Sequence, residues 1–162
     1  MEYNKKITAF SHLLVWFVLF SMPYVLSYGQ EQELTRVIAH FWIPLVFYAI
    51  IFYVNYFLFI DRFLFEKKML EFIGVNIILL VLLLWLREGI DTTFFADLAR
   101  KPHKEGDNNG PSFKMFIYVQ LLSYMAPLIF AIAIKTTQQW VKTEAESKEA
   151  ANYKLKTELQ HL

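Results

Sequence analysis

The sequence predicts an all-α protein: a four-helix transmembrane bundle whose fourth helix continues into a cytoplasmic parallel coiled coil. Three observations lead there. Of 162 residues, 56% are hydrophobic and 18% aromatic, too apolar for an ordinary soluble domain of this length. Apolar runs approaching the ~20 residues that cross a bilayer recur along the chain. After residue 134 the last run turns charged without an intervening Gly or Pro, and the charged part carries a heptad.

The first span is expected over residues 7–28 (ITAFSHLLVWFVLFSMPYVLSY), behind a short basic start, MEYNKK. A cleaved signal peptide is the rival reading. This run is longer than a signal's core of about 7–15 residues and is rich in bulky aromatics, so an uncleaved span is favoured. A polar turn, GQEQELTR, leads to the second span at residues 37–60. The link DRFLFEKK carries Arg62, Lys67 and Lys68 into the third span at residues 69–86. That run is short, and it needs Glu71 to pair or snorkel at the interface.

Residues 88–112 form the long connection. Residues 91–101 (DTTFFADLARK) group Phe94, Phe95 and Leu98 on one side, as expected of an amphipathic segment on the membrane or over the bundle. The following PHKEGDNNGPS is turn chemistry. The fourth span is expected over residues 114–134, giving a membrane domain at 1–134 and a soluble helix at 135–162.

On that helix Val141, Ala145, Lys148, Asn152, Leu155, Leu159 and Leu162 are spaced alternately four and three. Ala145, Asn152 and Leu159 take heptad position a, and the others take d. A lone Asn at a weakens a coil but favours a parallel, two-stranded register. The expected partner is therefore a second copy of the chain. The alternative is a solvated single helix. The terminal Leu-Gln-His-Leu has no Gly stop and reads as a helix that continues.

An even number of spans puts both termini on one side. That side holds Lys5, Lys6, Arg62, Lys67, Lys68, Lys135 and Lys142. The opposite side's positives fall mostly in the longest loop, where they count least, so both termini are expected to be cytoplasmic, in a cell inner membrane.

Few polar groups lie inside the spans. Asn55 and Asn76 fall at similar depth on an antiparallel hairpin and read as an interhelical polar pair, worth about 0.6 kcal/mol per bond. In the outer half Tyr24, Tyr28, His40 and Gln120 share a layer with Pro23 and Pro44, a possible pocket under the long loop. Pro127 removes a backbone donor from span four, leaving the Ser123 carbonyl for the Ser123 hydroxyl or water to cover. That makes Pro127 and Ser123 a candidate hinge, with a static kink as the alternative.

No catalytic, metal or cofactor constellation is present. The histidines lack metal-ligand spacing, and no Gly-rich phosphate loop or Ser/His/Asp set occurs. A near-neutral net charge of +1 gives no field for nucleic acid. No carboxylate is embedded mid-span, which argues against a proton-coupled small multidrug carrier. No cysteine is present, so disulfides and thiolate sites are excluded.

The stretch Asn152-Tyr153-Lys154-Leu155-Lys156-Thr157-Glu158-Leu159-Gln160-His161-Leu162 resembles the helix just upstream of the phosphoacceptor motif in LytS/YehU-like sensor histidine kinases. The matching residues are Leu155, Lys156, Glu158, Leu159 and Leu162, and the defining His-Phe box is absent. His161 does not occupy the phosphoacceptor position. The resemblance implies a membrane sensor that relays a stimulus through span four and a dimeric coil to a kinase core beyond residue 162. That core would use ATP and Mg and phosphorylate a response regulator. The other reading is a stand-alone dimeric membrane scaffold or accessory subunit without enzymatic activity.

Overall fold

A computed structural model describes residues 2–28, 34–96 and 113–161. All regular structure among them is helical. Helix α1 spans Glu2–Ser27, α2 Leu34–Leu64, α3 Met69–Phe94 and α4 Phe113–Gln160. Four helices are long and apolar enough to cross a membrane, as befits a multi-pass membrane protein. The third exceeds its expected length: α3 runs on past Leu86 through Arg87 and Asp91 to Phe94, absorbing the start of the expected amphipathic segment. Residues 97–101 of that segment and the turn-rich stretch lie outside the described residues, as does Leu162.

The helices alternate in direction. Trp16 on α1 meets Tyr53 on α2, and Trp42 reaches back to Phe20. Along α2 and α4, Phe47 faces Tyr124 while Asp61 faces Lys135, so these two run parallel. Both termini therefore leave the bundle at the same end.

Helix α2 is the centre. Most interhelical packing involves it, with α4 and α3 as the main neighbours and α1 attached more lightly. Its buried residues include Phe47, Ile51, Asn55, Tyr56 and Ile60, with Ile51 and Ile60 fully enclosed. Helix α3 answers with a stripe at Phe72, Asn76, Leu80 and Leu83, spaced four, four and three. Helix α4 contributes Tyr124, Leu128 and Ala131. The outward faces stay apolar, as lipid-facing surfaces must: Trp85 is 71% exposed and Phe17 71%.

Helix α2 is widened twice into π-helical turns, at Ile38–Trp42 and Asn55–Leu64. The first has a visible cause. Pro44 has no N–H and its ring crowds the carbonyl one α-turn earlier. The chain responds by bonding Ile43 N–H to the Ile38 carbonyl, five residues back. In that register Pro44 should serve the Ala39 carbonyl and cannot. The Arg87 guanidinium does so instead, with Nη2 donating to Ala39 O at 2.9 Å.

The α2–α3 turn is tighter than the sequence suggested, because α2 continues to Leu64. Lys68 N–H donates to Phe63 O at 2.8 Å, the six-to-one bond of a Schellman stop, and Lys67 sits at the left-handed position with φ 62°. A lysine there carries a Cβ penalty that glycine lacks. Lys67→Gly is expected to raise stability by about 1 kcal/mol in detergent unfolding. A loss of stability would show that the Lys67 side chain holds something the turn geometry does not account for.

Candidate functional site

The site with the most interhelical chemistry lies where α4 leaves the bundle. Lys135 Nζ donates to Asp61 Oδ2 at 2.7 Å, and Lys135 also lies 4.8 Å from the centroid of the Tyr56 ring. The Tyr56 hydroxyl donates to Gln138 Oε1 at 3.0 Å, one turn further along α4. Local sequence explains the meeting. Tyr56 and Asp61 project from the widened second half of α2, five residues apart, which is one turn of a π-helix. Lys135 and Gln138 are three apart on α4 and share a face.

These four residues clamp the C-terminal end of α2 to α4 at residues 135–138. An exposed ion pair contributes about 0–1 kcal/mol, a cation–π contact about 0.5–1 and a hydrogen bond about 1. The clamp is thus worth about 2 kcal/mol, strong enough to be populated and weak enough to open. Asp61 is half exposed, so solvent screening keeps its ion pair at the low end.

Behind the clamp is an aromatic wall that ties in α1. The His12 ring packs on Phe52, Tyr53 and Tyr56. Trp16 Nε1 donates to the Tyr53 hydroxyl at 2.6 Å. A displacement of α1 therefore bears on Tyr56, and through it on Gln138.

Asn55 and Asn76 are both buried, as their matched depth suggested. They do not bond each other. Each amide donates to the carbonyl one turn back on its own helix, Ile51 O at 3.0 Å and Phe72 O at 2.9 Å. Neither Oδ1 atom finds a hydrogen-bond partner among the described residues. Asparagine in a helix has this local option always at hand, and here it prevails over the cross-helix bond.

Of the residues expected to line an outer pocket, Tyr24 and Tyr28 are 64% and 82% exposed and His40 is exposed too, while Gln120 is half-buried. These residues do not converge in the core, and the connection that would cover them lies outside the described residues. A mostly enclosed charged group packs near here, Arg87, one residue past the expected end of the third span. Its Nε donates to Asp91 Oδ2 at 2.7 Å, with the side chains 14% and 27% exposed. An Arg followed by Asp four residues on was the available signal. Among the described residues Arg87 Nη1 and the enclosed Tyr124 hydroxyl have no hydrogen-bond partner. Among the described residues no group of three or more acidic or histidine side chains could hold a metal.

Pro127 is buried inside an α4 that continues past it to Gln160. The Ser123 hydroxyl donates to Val119 O at 2.8 Å, so it points back up the helix and does not cover the Ser123 carbonyl that Pro127 frees.

Beyond the clamp the candidate coil residues stand free of the bundle. Val141 is 53% exposed, Leu155 57% and Leu159 63%, and Ala145, Lys148 and Asn152 are exposed as well. Glu144 pairs with Lys148 at 2.8 Å, the intrahelical step that their spacing predicts. Traced upward with unbroken four-three spacing, the same stripe passes through Gln138, Ile134, Ala131, Pro127, Tyr124 and Gln120. There it is the side that meets α2: Tyr124, Pro127 and Ala131 are buried, and Ile134 packs against the core.

No protein-family model matches the chain, and no curated protein or solved structure matches it either.

Proposed function

We propose that residues 1–134 are the membrane sensor of a sensor histidine kinase and residues 135–162 its signalling helix. Stimulus would pass through α4 and a parallel dimeric coil to a kinase core beyond Leu162. The observation that carries this reading is that the span and the soluble segment are one helix of 48 residues, free of the bundle beyond the clamp, with a heptad seam still uncovered. A helix that merely anchored a bundle would need neither the reach nor the seam.

Asn152 at a core position and the Glu144–Lys148 pair keep the coil soluble and weak, which suits an element that must change state. The kinase core would bring ATP and Mg, and its partner would be a response regulator. This chain supplies the bilayer-embedded input and the dimer contact. Both termini leave the same end of the bundle, and the short-loop positives favour a cytoplasmic position for that end, in a bacterial inner membrane.

The native reading frame past codon 162 is the test. Continuation into an Asn-Pro-His-Phe phosphoacceptor box and an ATP-binding domain supports the kinase. A stop codon there favours a dimeric membrane scaffold.

The hinge makes a second, functional prediction. Pro127 is buried, while the Ser123 carbonyl that it frees leaves the helix easy to bend. In the full-length protein Pro127→Ala is expected to lock output high or low and flatten the stimulus response, with membrane insertion and dimer mass unchanged. An unchanged dose–response would reduce Pro127 to a packing residue.

A further inference from the structure

We infer that the clamp and the second copy of the chain compete for the same stripe of α4, so that α2 sets how far up the coil can zip. The inference rests on the dimeric-coil reading of the soluble helix. Its grounds are the continuity of the stripe. Below Val141 the stripe is exposed, and above Ile134 it is filled by α2 of the same chain. The handover falls on one heptad, from Ile134 to Val141. At its centre Gln138, an a position by the same spacing, is held by the Tyr56 hydroxyl.

The geometry lets both partners bind, but not at this heptad. Helix α2 ends at Leu64, three residues past Asp61, and from Val141 onward the stripe is exposed, so two copies can pair there. At Ile134 and Gln138 the stripe still meets the end of α2, and a second helix packed on these positions would overlap it. Tyr56 and Asp61 must let go before the coil can extend upward. With the clamp closed, pairing stops near Val141. With it open, pairing gains one heptad, and the two α4 helices are drawn together at the membrane surface. Movement of α1 or α2 thereby becomes a change in coil length, a discrete output from a small input.

Single cysteines test this directly, because the chain has none of its own. In membranes under mild oxidation, Leu155→Cys and Val141→Cys should give intersubunit disulfides, and Ile134→Cys should stay near background. Adding Tyr56→Phe and Asp61→Asn should raise Ile134→Cys cross-linking to the level seen at Val141. Lys135→Gln, which opens the clamp from the other helix, should act the same way, so a folding fault in one variant does not decide the matter. If Leu155→Cys and Val141→Cys cross-link but Ile134→Cys stays at background in both clamp variants, the competition is overturned while the dimer stands. Strong Ile134→Cys cross-linking with the clamp intact overturns it too. Absence of cross-linking at Leu155→Cys overturns the dimer and the competition together.

Discussion

Replacing Arg87 by methionine should destabilise the bundle by about 3 kcal/mol, because it strands two groups at once. Asp91 loses its charge partner at 2.7 Å, and the Ala39 carbonyl loses the donor that stands in for the N–H missing from Pro44. The two losses can be separated. Adding Asp91→Leu to Arg87→Met should recover the charge part and leave the carbonyl uncovered. Adding Pro44→Ala instead should restore a backbone donor and recover the carbonyl part, at the cost of repacking the widened turn. Reversible unfolding in mixed micelles, read as a double-mutant cycle, gives each share. A single Arg87→Met variant within about 0.5 kcal/mol of the parent would mean that lipid headgroups or water serve these groups as well as Arg87 does.

The second large effect is on association. Leu155→Asp together with Leu159→Asp puts carboxylates at adjacent d and a positions, four buried unpaired charges in a dimer. Each such charge costs about 3–5 kcal/mol, far more than a short coil containing Asn152 and Lys148 can offset. Light scattering of the solubilised protein should fall from dimer to monomer mass, with helicity of the spans retained. Asn152→Leu should act oppositely, tightening association while loosening the choice of oligomer state. An unchanged mass in the double aspartate variant would place the dimer contact elsewhere.

Much of the architecture was legible in the residues, because bilayer crossing imposes length and apolarity that few sequences meet by accident. The first, second and fourth long apolar helices cover the stretches where the sequence put spans, and the continuity of the fourth into its charged extension follows from the absence of any Gly or Pro between Leu128 and Gln160. The third helix runs beyond the expected 69–86 because Arg87, just past the apolar run, is paired and does not end it. Arg87 and Asp91 neutralise each other, and Arg87 reaches a carbonyl on α2, so the helix keeps its charge within the packed face. The expected stop was an internal contact.

The site was less legible than the fold. Lys135 and Asp61 counted in the sequence only as charges at the inner ends of spans four and two. That those spans run parallel, and so bring opposite charges to one level, was implicit in the span count. The pairing of Tyr56 with Gln138 was not, since it depends on the π-helical widening of α2, and no propensity marks a ten-residue π stretch. Asn55 and Asn76 show the limit from the other side. Their depth could be read from spacing, but the choice between a neighbour's amide and the chain's own carbonyl is decided by side-chain geometry that spacing does not carry.

The central claim is that α4 emerges from the membrane as one strand of a parallel, in-register coil. A cysteine scan across residues 139–160 in native membranes tests it most directly, one position at a time, reading the intersubunit disulfide yield. The predicted result is a yield that peaks at Val141, Ala145, Lys148, Asn152, Leu155 and Leu159, with the alternating four and three spacing of the seam and troughs between. A flat profile, or peaks confined to positions on the opposite side of the helix, would contradict it.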